Sequence, residues 1–511
     1  MRLPVGLWAC LGLATAGTVC AGDWPQFNLD SRHSGANYAE TGIGVSNVAG
    51  LRLRYPPVAL PDIADGSPVF VEGVGTKDGP RDLVFVTTKN GTLVAVEADT
   101  GEILWSRQPA TGPRYTTSSP ALDPGRQFVY SYGLDGKVHK YQVADGTEIA
   151  AGGWPEIATL KPDVEKGSSA LTVAVVAGTP FLYVTNGGYP GDAGDYQGHV
   201  TAIDLATGAQ VVFNANCSNL TCHLTEHGSG GCGQHLPDCP AVQTAIWARS
   251  GVVYDAELNR LFAATGNGTF NAASGGNDWG DSVLALNPDG TGGSRGWPLD
   301  SYTPTEFQSL QDSDADLGST APAILGAPAG SGGRHVGVQS GKDAKVRLLA
   351  LDDLSGRGGP GHIGGELQKF DLPQGGEVLT ALAVWVDPAD GATWVYVANG
   401  RGISGFKLGL DGGAPRLLTA PPDAWTQPVG GSSPVIANGV LFYASHDGMR
   451  ALEPTTGAVL WRDATLGAIH WESPIVVDGR LYVTDESARL LVYEPGPAPR
   501  PIRRRLHRSR P

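Results

Sequence analysis

The sequence predicts an all-β protein, an eight-bladed β-propeller whose blades are four-stranded antiparallel sheets. Two observations support this prediction: a short unit recurs along the chain, and the 511 residues include 73 Gly and 37 Pro but only 2 Met. Gly and Pro in this abundance, spread over the whole chain, suit many short strands joined by tight turns. No segment shows a long apolar period of 3.6 residues, so long helices are not expected.

The repeated unit begins with a Ser-Pro-like pair, continues with two strands, an Asp-Gly turn and a further strand, and often ends with a Thr-Gly turn. Its best copies include Thr100–Trp105 and Thr456–Trp461, each after two alternating apolar segments. Such segments with Gly-centred turns are typical of hairpins. The eight unit starts are Ser67-Pro68, Ser119-Pro120, Ser169-Ala170, Ala245-Ile246, Ala321-Pro322, Ala381-Leu382, Ser433-Pro434 and Ser473-Pro474.

The last unit indicates how the ring closes. It has three predicted strands, Ser473–Asp478, Arg480–Asp485 and Arg489–Glu494, and no Thr-Gly-x-x-x-Trp segment follows them. Leu51–Tyr55 is a strand-like stretch that precedes the first unit. We therefore expect this N-terminal strand to complete the last blade. The propeller is predicted to span residues 22–495.

Residues 1–21 are predicted to be a signal peptide. Arg2 gives a short positive start, Leu3–Val19 is apolar, and Val19-Cys20-Ala21 supplies small residues for cleavage after Ala21. The alternative is a membrane anchor, but the apolar run is short and lacks a flanking charge. The expected product is an exported protein, periplasmic or extracellular, with no transmembrane segment in the mature chain.

Charge restricts the possible partners. The formal net charge of −15 argues against a nucleic-acid partner. Residues 496–511 form a basic Pro/Arg tail, which is predicted to be disordered and solvated. The alternative is a tail that binds anionic lipid, a cell-wall polymer or a partner protein.

A cysteine-rich insertion is predicted at residues 214–243. It contains Cys217, Cys222, Cys232 and Cys239, with His223, His227 and His235 beside them. In an exported protein this pattern favours two disulfides, for which three connectivities are possible. Zinc and haem are the less favoured alternatives. The spacing Cys217-x4-Cys222-His223 departs from the two-residue spacing of a c-type haem motif, and no Met lies nearby.

Four central segments resemble, in chain order, the cofactor-binding segments of the pyrroloquinoline quinone (PQQ) dehydrogenases. The likeness is closest to the alcohol and polyvinyl alcohol dehydrogenase branch of these quinoproteins. It implies an eight-bladed propeller in which Trp105 and Trp461 dock adjacent blades, and it implies PQQ and Ca²⁺ as cofactors. The four segments are Trp247–Asp255, Ala264–Gly268, Gln311–Pro322 and Val338–Asp352.

The resemblance also implies site roles. Trp247 would be the aromatic floor under PQQ, because stacking holds a flat ring without occupying its carbonyls. Asn267 would bind Ca²⁺ through its amide oxygen. Asp314 would be the catalytic base and a metal ligand, and Asp316 a further metal ligand. Lys342 would contact the quinone and stabilise charge that develops on oxygen. Taken singly, these residues are also compatible with a core tryptophan, a hairpin turn, an acidic loop and a surface lysine.

Two parts of the expected cofactor cage are altered. Many members of the family have adjacent cysteines that form a disulfide over the quinone, whereas Thr117–Asp123 contains no Cys. The calcium-binding Glu of the family should precede the strand Val200–Asp204, but the best register places Ala193 there. Asp192 and Asp195 are the candidate substitutes.

Two functions are therefore considered. The first is a PQQ- and Ca²⁺-dependent dehydrogenase that oxidises a small-molecule or polymeric alcohol and passes electrons to an acceptor. The second is a non-catalytic propeller that binds a protein or cell-envelope ligand and has a degenerate cofactor site. The order of the motifs favours the first, and the missing cysteine pair and glutamate favour the second. Fold alone does not decide between them.

Overall fold

A computed structural model of the protein describes residues 22–112, 114–225 and 239–496. Eight antiparallel sheets follow one another along the chain, so the predicted eight-bladed propeller is confirmed. Blades 1 and 2 comprise the strands Val69–Thr76, Gly79–Thr87, Leu93–Glu97 and Ile103–Arg107, then Ala121–Leu122, Phe128–Tyr132, Lys137–Gln142 and Glu156–Ile157. Blades 3 and 4 comprise Thr172–Val176, Thr179–Gly188, His199–Asp204 and Gln210–Asn214, then Val253–Asp255, Arg260–Ala264, Val283–Leu286 and Asp300–Tyr302.

The second half of the ring repeats this plan. Blades 5 and 6 comprise Ala323–Gly326, Val336–Gln339, Lys345–Ala350 and Gln368–Asp371, then Ala383–Val386, Thr393–Asn399, Gly402–Asp411, Ala414–Leu417 and Ala424–Gln427. Blades 7 and 8 comprise Val435–Ala437, Val440–Ser445, Gly448–Leu452 and Val459–Asp463, then Ile475–Val477, Arg480–Asp485 and Arg489–Pro495. Three short strands flank these sheets: Ala36–Asn37 on blade 7, Val58–Ala59 on blade 8 and Glu165–Lys166 on blade 3.

Helical structure is confined to short segments within the described residues. The α-helix is Phe307–Ser313, and the 3₁₀ turns are Val48–Gly50, Ala272–Ser274, Ser294–Gly296 and Leu317–Ser319. In this part of the chain no helix has the length and apolar character needed to cross a membrane. The predicted signal peptide and all but the first residue of the predicted basic tail lie outside the described residues.

The predicted unit starts mark the blades closely. In six blades the first strand begins two residues after the predicted start, and in blade 3 it begins three residues after. Blade 4 differs, since its first strand begins at Val253, eight residues after Ala245. The reason is a tight turn in which the Gly251 amide donates to the Ala248 carbonyl at 2.8 Å. This turn inserts extra chain and directs Arg249 inward.

The N-terminal strand closes the ring as predicted. Leu51–Leu53 pairs antiparallel with Arg489–Pro495, placing Leu51 opposite Pro495. The chain then continues to blade 1, where the Tyr55 hydroxyl donates to the Ala98 carbonyl at 3.3 Å. Closure therefore joins the two ends of the propeller in one sheet and packs that sheet against blade 1.

Trp105 docks blade 1 onto blade 2, as the resemblance implied. Its indole Nε1 donates to the Val143 carbonyl at 3.3 Å, and its ring covers Gly146. A Cβ added at Gly146 would lie 2.6 Å from the ring, and the residue has φ of +68°, so both close approach and backbone geometry favour glycine. In blade 7, Trp461 contacts Tyr493 of blade 8, with ring centroids 5.3 Å apart.

The cysteine-rich insertion is closed by a disulfide between Cys217 and Cys239, with a Cα–Cα distance of 5.7 Å. Cys222 is also disulfide-bonded, and Cys232 lies outside the described residues. The three described cysteines are therefore not available as thiolate ligands for zinc or as attachment points for haem. The prediction of disulfides is supported.

Replacing Cys217 and Cys239 together by Ser should loosen the insertion. The bond closes a segment with a sequence separation of 22 residues. A loop of this size contributes about 3 kcal/mol to local stability. Limited proteolysis should then cut the double variant within the insertion several times faster than the parent. Equal cleavage rates would contradict this expectation, and reduction of the parent should reproduce the effect of the substitutions.

Candidate functional site

The segments that precede the first strands of blades 1 to 3 meet around one buried side chain, Arg249. Its guanidinium donates to the carbonyl groups of Ser168 at 2.8 Å, Thr117 at 2.9 Å and Asp65 at 3.3 Å. Each acceptor belongs to a different blade, so Arg249 ties three blades together at the centre of the ring. The carbonyl of Thr117 lies in the region where the family resemblance led us to look for paired cysteines.

A lysine and two carboxylates lie beside this centre. Lys342 Nζ is 2.7 Å from Asp316 Oδ2 and 3.2 Å from Asp314 Oδ1. The two carboxylates differ in environment: the side chain of Asp316 is 6% exposed and that of Asp314 is 65% exposed. Asp314 ends the helix Phe307–Ser313 with φ of +53°, which turns the chain toward the buried Asp316.

Asn267 completes the polar part of the site. Its backbone amide donates to Asp316 Oδ1 at 2.6 Å, and its side-chain Nδ2 donates to Asp192 Oδ2 at 3.1 Å. Tyr196 donates its hydroxyl proton to the other Asp192 oxygen at 2.7 Å. Gly266 makes the approach possible, since a Cβ there would lie 2.6 Å from Asp316 Oδ1. Of the candidates for the missing glutamate, Asp192 is the one that reaches Asn267.

Two tryptophans border the site. Lys342 Nζ lies 5.5 Å from the centre of the Trp247 ring, within cation–π range. Trp247 also contacts Trp471, with centroids 6.1 Å apart and planes inclined by 37°. On Trp471 lie two further cations, Arg249 at 5.1 Å and Lys166 Nζ at 5.6 Å. The site thus combines aromatic surface, three basic side chains and clustered carboxylates.

Burial and charge shift the titration of these groups. Burial raises the pKa of Asp316 even though Lys342 opposes the shift, which makes this carboxylate a stronger base than an exposed one. Burial also disfavours the charge on Lys342, but the two aspartates outweigh this effect and raise its pKa. The buried Lys166, which has Arg249 nearby, has its pKa lowered to about 7.

Asp281 is a buried carboxyl group close to Asp316, and it provides a test of how burial and charge shift pKa values at this site. Its Oδ1 accepts a hydrogen bond from the Leu317 amide at 2.9 Å, while its buried Oδ2 has no partner among the described residues. Burial, with help from the charge of Asp316, raises the pKa of Asp281 from 3.8 to about 8. The folded protein therefore holds this proton under conditions in which the unfolded chain releases it.

Asp281→Asn should stabilise the protein increasingly as pH rises. Between about pH 4 and pH 8 the unfolded chain binds fewer protons at this position than the folded protein, so rising pH favours unfolding of the parent. Asn does not ionise, so the gain in the free energy of unfolding should exceed about 1 kcal/mol at pH 7 and level off above pH 8. Urea unfolding at pH 5 and pH 8 measures the difference. A gain that is independent of pH would contradict the assignment, and the exposed Asp312→Asn is the control.

The structure brings together all five residues that the resemblance singled out, Trp247, Asn267, Asp314, Asp316 and Lys342. It also adds residues that sequence reasoning missed, chiefly Trp471, Arg249 and Lys166. Trp471 had one detectable signal, because it stands just before the Ser473-Pro474 unit start. The buried position of Arg249 had none.

The donor set fits a hard divalent cation. Asp316 and Asp192 supply carboxylate oxygens, and Asn267 supplies an amide oxygen. This oxygen stays free because Asn267 uses its Nδ2 for the hydrogen bond to Asp192. Lys342 lies on Asp316 and competes for the same carboxylate. The aromatic surface with cations around it fits a flat, anionic organic molecule. Residues for both kinds of ligand are therefore present.

Comparison with known proteins identifies the family and the fold. A family model described as outer membrane protein assembly factor BamB matches residues 68–215 and 381–496, just over half of the chain. The dehydrogenase subunit of the quinone alcohol dehydrogenase of Komagataeibacter europaeus is 26% identical over 321 residues. That alignment covers 56% of this chain and 40% of the relative, so the chain matches about two-fifths of the relative's length.

Solved structures show the same fold at low identity. A europium-containing methanol dehydrogenase superposes with a TM-score of 0.63 at 16% identity, covering 93% of this chain and 98% of that one. The quinohemoprotein alcohol dehydrogenase of Comamonas testosteroni gives 0.61 at 17% identity, covering 94% and 81%. These likenesses show the fold, and the family match over more than half of the chain shows that it belongs to the PQQ-type, quinoprotein alcohol dehydrogenase-like β-propeller family.

Proposed function

We propose that this propeller is an exported PQQ- and Ca²⁺-dependent dehydrogenase that oxidises an alcohol and passes the electrons to an acceptor. The observation that carries the proposal is the buried Asp316 carboxylate, held 2.7 Å from Lys342 and hydrogen-bonded by the Asn267 amide. A base, a cation and an oxygen-donor set beside aromatic surface are the groups that such a reaction needs.

Each side chain then has a distinct task. Asn267, Asp192 and Asp316 would hold the metal, and Trp247 would support the flat cofactor. PQQ, when bound, supplies the carbonyl that accepts hydride. Lys342 places positive charge where negative charge develops on oxygen, and its contact with Asp316 fixes the orientation of that carboxylate.

The proton of the substrate hydroxyl goes to an aspartate. The resemblance predicts Asp314 for this task, whereas burial and the hydrogen bond from the Asn267 amide favour Asp316. We assign the proton transfer to Asp316, because a base that is held by neighbouring groups and shielded from water keeps its orientation. Asp314 then holds Lys342 from the solvent side and supplies a second carboxylate near the metal.

One experiment tests the function as a whole. The mature protein is titrated with PQQ in the presence of Ca²⁺ while tryptophan fluorescence is followed. Primary and secondary alcohols are then offered with an artificial dye acceptor. Saturable quenching that is lost in Trp247→Ala, together with alcohol-dependent dye reduction, supports the proposal. Absence of both PQQ binding and dye reduction would overturn it.

A second function is favoured by two specific departures. Thr117 occupies the region of the missing cysteine pair and gives its carbonyl to Arg249, and Ala193 stands where the family has glutamate. A propeller that binds a protein or cell-envelope ligand without catalysis would tolerate both changes. PQQ binding without turnover would support this alternative.

Export is part of the proposal and has its own test. The N-terminal segment has the composition of a signal peptide, and a disulfide-bonded insertion suits an oxidising compartment. Mass spectrometry of the protein recovered from the periplasm or medium should show an N-terminus at Gly22. A cytoplasmic product that retains residues 1–21 would contradict export.

A further inference from the structure

A second group of ligand-type side chains lies beside Trp471. Asp65 Oδ2 is 2.9 Å from His470 Nδ1, and one oxygen of Glu486 lies within 4.8 Å of both atoms. Asp65 is buried, Glu486 is half-buried, and the side chain of His470 is 49% exposed. One nitrogen and two carboxylate oxygens at such distances need only a small contraction to bind a single ion.

A separate observation points to a missing ligand here. Glu472 is fully buried, and its Oε1 has no hydrogen-bond partner among the described residues. Its other oxygen accepts the His470 amide at 2.5 Å, which places Glu472 directly behind the histidine. A buried carboxylate oxygen without a donor is costly, and an ion of higher charge than the Lys89 ammonium would offset more of this cost.

The supporting contacts already orient two of the ligands. The His470 ring stacks on Trp471, with centroids 4.2 Å apart and planes inclined by 17°. The other oxygen of Asp65 accepts the Trp471 amide at 3.1 Å. Such outer contacts fix ligand geometry in protein metal sites. Lys89 is one cation already present, with its Nζ 2.9 Å from Glu486 and 3.5 Å from Asp65, and the charge of the buried Arg249 also acts on Asp65 and Glu472.

We propose that Asp65, His470 and Glu486, backed by Glu472, form a binding site for a divalent transition-metal ion such as Zn²⁺. An imidazole nitrogen with carboxylates favours this class of ion over Ca²⁺, which prefers oxygen donors alone. Binding requires the Lys89 ammonium to leave, and its partly exposed side chain has a route to solvent. The site is distinct from the Asn267 and Asp316 group and does not depend on the proposed dehydrogenase activity.

The test uses mature protein freed of metal with a chelator and titrated with Zn²⁺ by calorimetry. We expect a Kd on the order of 1–10 μM for the parent. His470→Ala should weaken binding by about tenfold or more, and this half-exposed position should tolerate the change. Lys89→Met should tighten binding by roughly threefold or more, because it removes the competing cation. Co²⁺ in place of Zn²⁺ gives an absorption spectrum as a second readout.

Two controls make the result specific. His335→Ala removes a histidine that lies 3.7 Å from Asp255 and 3.5 Å from Glu257, a similar setting elsewhere on the protein, and should leave binding unchanged. Asp316→Asn should also retain Zn²⁺ binding, which separates this site from the proposed Ca²⁺ site. Absence of binding by the parent, equal binding by His470→Ala, or no gain in Lys89→Met would overturn the proposal. Thermal unfolding of each variant checks that it is folded.

Discussion

Replacing Asp316 by Asn should lower alcohol-dependent dye reduction by a factor of about 100 or more. A positioned general base contributes roughly 10²- to 10⁴-fold to a rate, and Asn has similar size but cannot take the proton. The substitution also removes a proposed metal ligand and the partner that Lys342 contacts at 2.7 Å, so a loss of Ca²⁺ or quinone binding has to be separated from a loss of chemistry. Steady-state rates at saturating PQQ, Ca²⁺ and alcohol make this separation.

Asp314→Asn is the matched control, because the two aspartates share Lys342 but differ in exposure. We expect its rate to fall less than tenfold, since solvent screens an exposed pair. If the rate fell more in Asp314→Asn than in Asp316→Asn, Asp314 would be the catalytic base, as the family resemblance predicts. Fluorescence titration with PQQ shows whether either variant has lost the cofactor instead.

Replacing Trp105 by Ala should lower the free energy of unfolding by about 3–5 kcal/mol. The side chain is 7% exposed, packs against Phe85 and Tyr141 with ring centroids 5.5 and 6.5 Å away, and donates to the Val143 carbonyl. Removing a large aromatic group from such a contact leaves a cavity and an unpaired carbonyl. Urea unfolding followed by circular dichroism measures the change.

Trp105→Phe keeps an aromatic ring but loses the hydrogen bond, so it should lower the free energy of unfolding clearly less than Trp105→Ala does. Gly146→Ala disrupts the same contact from blade 2, because the new Cβ would clash with the Trp105 ring. We expect it to destabilise as well, through both the clash and the positive φ. If Trp105→Ala cost less than about 1 kcal/mol, docking through this residue would not be a major source of inter-blade stability.

The architecture was readable from the sequence because its signals are local. Ser-Pro-like pairs, Gly-centred turns and alternating apolar residues recur along the chain, and they located seven first strands within three residues. Blade 4 departed from the pattern because the turn from Ala248 to Gly251 adds chain between the unit start and the strand. An insertion of this kind changes the position of a strand without changing its composition.

The site was only partly readable because it depends on distances across the ring. Motif order identified Trp247, Asn267, Asp314, Asp316 and Lys342, but two aspartates separated by one residue give no indication of which is buried. The end of the helix at Asp314 decides this in the structure. Arg249, Lys166 and Trp471 come from different blades, and no spacing along the chain links them.

The pairing of Leu51–Leu53 with Arg489–Pro495 has a consequence for how the protein reaches its folded state. Arg52 and Glu494, which meet in this pairing, are 442 residues apart in sequence. Contacts of such long range slow folding, because chain entropy is lost before they form. During synthesis the early strand must wait, unpaired, for residues near 490 to leave the ribosome. Ring closure is therefore a late event that follows synthesis of the last blade.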